Sequence, residues 1–181
     1  MLEKIIIAGF GGQGVMTIGK MLAYAGILDG REASWVPSYG PEMRGGTAYC
    51  NVIISDEEIA SPVIAKDATT VIAMNLQSLN KFEPFLAKGG RLLINSSLIT
   101  EQASRDDVNA FYIPVNEIAM EAGNTKAANM VVLGAYLGIT NLFEKEAALQ
   151  AFIKVFGEKS TKLLPLNQKA MELGIQCVQR S

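Results

Sequence analysis

The chain of 181 residues contains no histidine at all, and only two cysteines, Cys50 and Cys177. Without histidine there is no Ser-His-Asp or Cys-His relay and no His-ligated metal. Two separated cysteines fall short of the four that an iron–sulfur cluster takes, so any redox cofactor must come from elsewhere. Cys50 lies in the apolar run Ala48-Tyr49-Cys50-Asn51-Val52-Ile53-Ile54 and reads as a small buried hydrophobe. Charge of one sign is also lacking: 16 Lys and Arg stand against 18 Asp and Glu, which leaves no basic footprint for nucleic acid. No apolar run approaches the roughly 20 residues that span a bilayer, and Met1-Leu2-Glu3-Lys4 leads straight into a strand-like run without a signal pattern. A cytoplasmic protein with no membrane partner is expected.

The length suits one domain, 1–181, large enough to bury its own core. Branched apolar runs predict strands at Lys4–Ala8, Ala33–Val36, Thr47–Ile54, Val71–Met74, Arg91–Asn95 and Phe111–Val115. Helices are predicted at Val15–Leu28, Ser78–Leu86, Glu117–Ala122, Ala127–Leu137, Glu144–Phe156 and Asn167–Val178. Lys88-Gly89-Gly90 reads as the turn between a helix ending at Leu86 and a strand opening at Arg91. Several strands are apolar on both faces, as in a sheet covered on each side. The fold class is therefore α/β: a three-layer Rossmann-like domain with a mostly parallel sheet and helices on both faces. Val15–Leu28 is apolar around most of its circumference, and Gly134 and Gly138 give the fourth long helix a smooth side. With 49% hydrophobic residues, these helices suggest a chain that also buries surface against another subunit.

Two stretches carry chemistry. Gly9-Phe10-Gly11-Gly12-Gln13-Gly14 joins a strand to a helix with the spacing G-x-G-x-x-G. Such glycines permit a tight turn and bring backbone N–H groups to an anion at the helix N-terminus. A dinucleotide site also needs an acid at the end of the second strand, where Val36-Pro37-Ser38-Tyr39 has none. A Walker loop fails as well, because Val15-Met16 follows Gly14. What remains is a structural turn or a contact to a phosphate, a carboxylate or a subunit. Gln13 is either a hydrogen-bonding residue toward a ligand or neighbouring chain, or a solvated turn residue.

The second stretch, Ser38-Tyr39-Gly40-Pro41-Glu42-Met43-Arg44-Gly45-Gly46-Thr47, leaves the second strand for the third. Arg44 beside Gly45 and Gly46 can present a bidentate fork to an anion, Glu42 can pair with it, and Tyr39 can stack or donate its hydroxyl. Ligand sites of open α/β sheets lie outside the carboxyl ends of the strands, and both stretches follow strands at that edge. Gly9, Gly11, Gly12, Gln13, Gly14, Tyr39, Glu42, Arg44, Gly45, Gly46 and Thr47 are thus the candidates for an anion, cofactor or interface site.

Together the two stretches resemble the gamma subunit of the 2-oxoacid:ferredoxin oxidoreductases. Further matches are Ile59-Ala60-Ser61-Pro62, Asn95-Ser96, Ile113-Pro114 with Glu117-Ile118-Ala119, and Ala128-Asn129-Met130-Val131-Val132-Leu133-Gly134-Ala135. The resemblance implies a part of an anaerobic complex that decarboxylates a 2-oxoacid, reduces ferredoxin and forms an acyl-CoA. It places thiamine diphosphate with its Mg²⁺ on alpha and beta chains and iron–sulfur clusters on a delta chain, leaving the gamma chain with no catalytic residue or metal of its own. Leu28-Asp29-Gly30 is not the Gly-Asp-Gly that would hold that Mg²⁺. It further implies alpha, beta and delta partners, ferredoxin only indirectly, and a role in assembly or on the CoA or substrate side; if the chain touches CoA, the residues that would meet its phosphates are Gly11 to Gly14 and Arg44. The segment Asn167 to Gly174 tilts the resemblance toward 2-oxoglutarate. An independent nucleotide-binding protein and the indolepyruvate oxidoreductase beta subunit are the alternatives, and the isolated chain is expected to be inactive, with a homodimer as one form.

Overall fold

The computed structural model describes residues 1–38 and 48–179. Six strands, β1 (Leu2–Gly9), β2 (Glu32–Ser38), β3 (Ala48–Ser55), β4 (Ala68–Ala73), β5 (Leu86–Asn95) and β6 (Asn109–Ile113), form one sheet in the order β2-β3-β1-β4-β5-β6. β1, β4, β5 and β6 pair in parallel, whereas β3 runs antiparallel to both β1 and β2. The sheet is thus mixed, with β3 the strand that opposes the rest.

Around it stand α1 (Val15–Leu28), α2 (Leu76–Phe82), α3 (Val115–Ala122), α4 (Ala128–Thr140), α5 (Lys145–Phe156) and α6 (Leu164–Gln179). Side chains of β1 alternate between two cores: Ile5 and Ile7 enter one, Ile6 and Ala8 the other, all four fully buried. The first core draws on α1, α3, α4, α5 and α6. The second is closed by α2 and by irregular chain that supplies Ile59, Ile64 and Ile99. Helices therefore lie on both faces, but very unequally.

The glycines of α4 have an intramolecular purpose. A methyl group on Gly134 would overlap the Met171 carbonyl of α6, and one on Gly174 would overlap the Val131 carbonyl of α4. Gly138 is closed in turn by Val178 and Ile175. The smooth side of α4 is therefore covered by α6 of the same chain and offers nothing to another subunit. α1 differs, since Tyr24, Ile27 and Leu28 remain exposed.

One predicted boundary is corrected. The helix expected to reach Leu86 ends at Phe82, a single 3₁₀ turn over Glu83–Phe85 follows, and β5 begins at Leu86. Pro84 cannot continue an α-helix, which accounts for the early stop. Lys88-Gly89-Gly90 is then no helix-to-strand turn; it lies inside β5 as an irregularity, with Leu86 opposite Ala68 and Arg91 opposite Thr70. Gly89 has φ +75°, donates its N–H to the Asp107 carbonyl at 2.7 Å, and accepts from Asn109 Nδ2 at 2.9 Å. The glycines serve a bulge held by the chain ahead of β6.

Replacing Gly134 by Ala sets two effects in opposition. Helix propensity favours Ala by about 1 kcal/mol, while forcing a methyl into the backbone of α6 costs about 1–3 kcal/mol or more. The collision is with a carbonyl that cannot swing aside, so Gly134→Ala is expected to lower the midpoint of urea unfolding. An unchanged or raised midpoint would show that the two helices separate readily.

Candidate functional site

β1 leads through α1 to β2 on one side of the sheet, whereas β4, its parallel neighbour, leads through α2 to β5 on the other. The carboxyl ends of β1 and β4 therefore flank the point where strand order reverses, the usual ligand crevice of such sheets. Met74 N–H donates to the Ala8 carbonyl at 2.9 Å and carries the pairing to the very end of both strands. The turn Gly9 to Gly14 opens directly beyond it.

Each glycine in this turn has a different role. A Cβ on Gly9 would lie 2.8 Å from both Met74 Cβ and Val15 Cγ2 and 2.7 Å from Gln13 Oε1. Gly12 and Gly14 take φ of +93° and +77°, conformations in which other residues are strained. Among the described residues, nothing meets Gly11 or Gly12 on the outer side. Gly14 is the N-cap of α1 and sits against Asn129 of α4; among the described residues no side chain caps this helix end, and no acid occupies its first turn. The N-terminal N–H groups and the positive end of the helix dipole therefore face the crevice without a protein counter-charge from α1 itself.

Gln13 is half-buried, and its carboxamide bonds within the turn and to Met74. Its Oε1 accepts from Phe10 N–H at 2.6 Å and from Asn75 Nδ2 at 3.3 Å, and its Nε2 donates to the Met74 carbonyl at 3.0 Å. Asn75 in turn caps α2 by accepting from Ser78 N–H at 2.8 Å. Sequence reasoning missed Met74, Asn75 and Asn129 as neighbours of the loop. An Asn just ahead of a helix was a legible cap signal, but its pairing with Gln13 joins residues 62 positions apart in the chain.

Of the second stretch, Tyr39, Glu42, Arg44, Gly45, Gly46 and Thr47 lie outside the described residues. Its flanks are placed: Ser38 pairs with Tyr49, and Ala48 pairs with Gly9. The chain thus leaves and re-enters the sheet at the same carboxyl edge as the glycine turn. At the far end of that edge, Ser97 Oγ donates to the Glu117 carboxylate and accepts from Asn116 N–H at 2.9 Å. The Ser97 bond holds the Glu117 carboxyl below its usual range.

Cys50 is packed behind α1, where Gly19 leaves room for its sulfur and for Trp35 Nε1. Burial pushes its thiol up to about 12, against the weaker opposite pulls of the Trp35 indole and the Gly19 backbone. Cys177 lies on α6. Among the described residues no group of three His, Cys, Asp or Glu side chains is arranged to hold a metal ion, and no helix is long and apolar enough to cross a membrane.

A doubly wound sheet with a glycine turn at its strand reversal defines a Rossmann-like α/β domain, and its second strand ends without the acid of a dinucleotide site. Residues 4–177 match the family described as pyruvate ferredoxin/flavodoxin oxidoreductase. The chain is 40% identical over 175 residues to the ketoisovalerate oxidoreductase subunit VorA of Methanothermobacter thermautotrophicus, covering 96% of itself and 36% of that protein. It thus spans about a third of the length of that relative. It is 36% identical over 156 residues to the 2-oxoglutarate synthase subunit KorC of Methanocaldococcus jannaschii, covering 84% of itself and 83% of that chain. A solved keto/oxoacid ferredoxin oxidoreductase gamma subunit from Geobacter sulfurreducens superposes with a TM-score of 0.84 at 31% identity over 99% of both chains. The fold recurs at 24% identity and a TM-score of 0.88 within 31% of a Magnetococcus marinus 2-oxoglutarate:ferredoxin oxidoreductase chain, solved with 2-oxoglutarate, coenzyme A and succinyl-CoA bound. The chain belongs to the pyruvate ferredoxin/flavodoxin oxidoreductase family.

The Cys50 environment yields a test of packing behind the turn. Its folded value lies above the ordinary 9.0, so the protonated thiol stabilises the fold fully below about pH 9, and that contribution is lost as pH rises toward about 12. The expected slope is up to about 1.4 kcal/mol per pH unit. Urea unfolding of the native chain should weaken more steeply between pH 8.5 and 10 than that of Cys50→Ala. Equal slopes would place the thiol in contact with water.

Proposed function

We propose that this chain is the gamma-type subunit of a 2-oxoacid:ferredoxin oxidoreductase, a complex that oxidatively decarboxylates a 2-oxoacid to an acyl-CoA and reduces ferredoxin. The observation that carries this reading is the end-to-end likeness, over 99% of both chains at 31% identity, to a gamma subunit. In this reading thiamine diphosphate, Mg²⁺ and iron–sulfur clusters belong to alpha, beta and delta partners. The residues of this chain do not fit those groups: histidine is absent, Cys50 is shut into the core, and a cluster takes four cysteines. No chemical step is assigned to its side chains.

The proposed substrate is 2-oxoglutarate. Support comes from the KorC relative, which this chain matches over 83% of its length, whereas the more similar VorA relative is matched over only 36%. The proposed ligand of the carboxyl edge is CoA, whose phosphates suit the N–H groups of Gly11, Gly12 and Gly14 at the start of α1, with Arg44 as a second anion contact. The bound coenzyme A in the Magnetococcus enzyme supports this choice of anion. A helix N-terminus adds about 0.3–1 kcal/mol toward an exposed anion, so the loop alone confers weak affinity. The site is expected to be completed by a partner chain.

Co-expression with alpha, beta and delta chains of this enzyme class is the direct test. The expected result is a co-purifying complex that reduces ferredoxin with 2-oxoglutarate and CoA, and an isolated chain that is inactive. Tight NAD or FAD binding by the isolated chain would overturn the subunit reading in favour of an independent nucleotide-binding protein, and indolepyruvate turnover by the complex would overturn the substrate. Within the complex, Arg44→Ala should raise the KM for CoA about tenfold, equivalent to about 1.4 kcal/mol. Loss of assembly with an unchanged KM would make that segment a subunit contact instead.

A further inference from the structure

We propose that Gln13 is a positioning residue whose carboxamide locks the β1–α1 glycine turn to the β4–α2 turn, so that the anion-facing N–H groups are held in place before CoA arrives. This rests on the reading of the carboxyl edge as a CoA contact. The residue so placed in the G-x-G-x-x-G turn spends its side chain inward, not on the ligand or on a partner chain.

Two independent observations carry it. The first is the hydrogen-bond count. A carboxamide has two acceptor lone pairs and two donor hydrogens; both acceptors of Gln13 are used, by Phe10 N–H at 2.6 Å and Asn75 Nδ2 at 3.3 Å, and one donor reaches the Met74 carbonyl at 3.0 Å. The backbone adds Gln13 N–H to the Phe10 carbonyl at 3.2 Å. A continuous chain of bonds thus runs from α2, through Ser78 N–H and Asn75, to the Gln13 side chain and back to Phe10 at the start of the turn. The second observation is steric. A Cβ on Gly9 would stand 2.7 Å from Gln13 Oε1, so the glycine there clears the space that the carboxamide fills.

The physical need for such a lock follows from the rest of the turn. Glycine loses more backbone freedom on ordering than any other residue, and the turn holds four of them in six positions. Among the described residues nothing packs against the outer side of Gly11 or Gly12. Their geometry therefore depends on what anchors the two ends, and Gln13 is the side chain that ties one end to β4. Pre-ordering the donors lowers the entropy lost when an anion binds, which appears as affinity and not as a faster chemical step.

The test uses two readouts. In the assembled complex, Gln13→Ala is expected to raise the KM for CoA at least about tenfold with kcat at saturating CoA within about twofold. In the full chain alone, amide hydrogen exchange at Phe10 to Gly14 is expected to accelerate at least about tenfold while exchange in β1 and the interior of α1 stays unchanged. Gln13→Glu, which keeps an acceptor but loses the donor to Met74, should follow Gln13→Ala in both. Unchanged exchange in the turn overturns the lock. Accelerated exchange with an unchanged KM for CoA leaves the lock standing and overturns the CoA reading on which its purpose rests. A fall in kcat with no change in KM overturns the positioning role.

Discussion

The structure depends on β1 having no side turned to water. Ile5, Ile6, Ile7 and Ala8 are buried on alternate faces, so β1 anchors both cores at once and is paired along both edges. Four such residues buried on both sides contribute roughly 1.5–3 kcal/mol for each Ile relative to exposure. That burial allows the chain to leave β1 through an open, glycine-rich turn. Among the described residues nothing packs against the outer side of Gly11 and Gly12, and a buried strand beneath them supplies the frame of the turn.

The two partners of β1 divide the labour at its carboxyl end. On the β4 side, Met74 and Asn75 meet Gln13 and fix the turn from below. On the β3 side, Ala48 stands opposite Gly9 and brings the return of the 39–47 segment to the same edge. The reversed direction of β3 is what makes this possible. A parallel strand in its place would begin at the opposite edge, and the flanks of that segment would not both lie beside the glycine turn. One antiparallel strand in an otherwise parallel arrangement thus brings the flanks of the 39–47 segment beside the glycine turn, in a chain without histidine and with no metal-ligand cluster among its described residues.

Much of this was legible in the order of residues. The six strands, the long helices and the glycine turn follow from apolar periodicity and from Gly9, Gly11 and Gly14, because those signals are local. α1 runs from Val15 to Leu28 as its pattern predicts, since Gly14 opens it and Gly30 at φ +81° turns the chain beyond its end. The boundary at Leu86 failed for an equally physical reason. Lys88-Gly89-Gly90 carries a turn signature, but Gly89 is occupied by bonds to Asp107 and Asn109, which no local pattern reveals. Gly134 and Gly138 read as a smooth helix side; which helix filled it was a question of three-dimensional packing, and the answer was α6 of the same chain.

The sequence by itself determined the fold class, the chemistry that the chain lacks, and the place where backbone donors would be exposed, because composition, periodicity and glycine spacing act within a few residues of each other. Only the tertiary structure decided that β3 runs against its neighbours, that the helices crowd one face, and that Gln13 turns inward to Met74 and Asn75. Those outcomes rest on contacts between residues far apart in the chain, whose geometry exists only once β1 and β4 lie side by side.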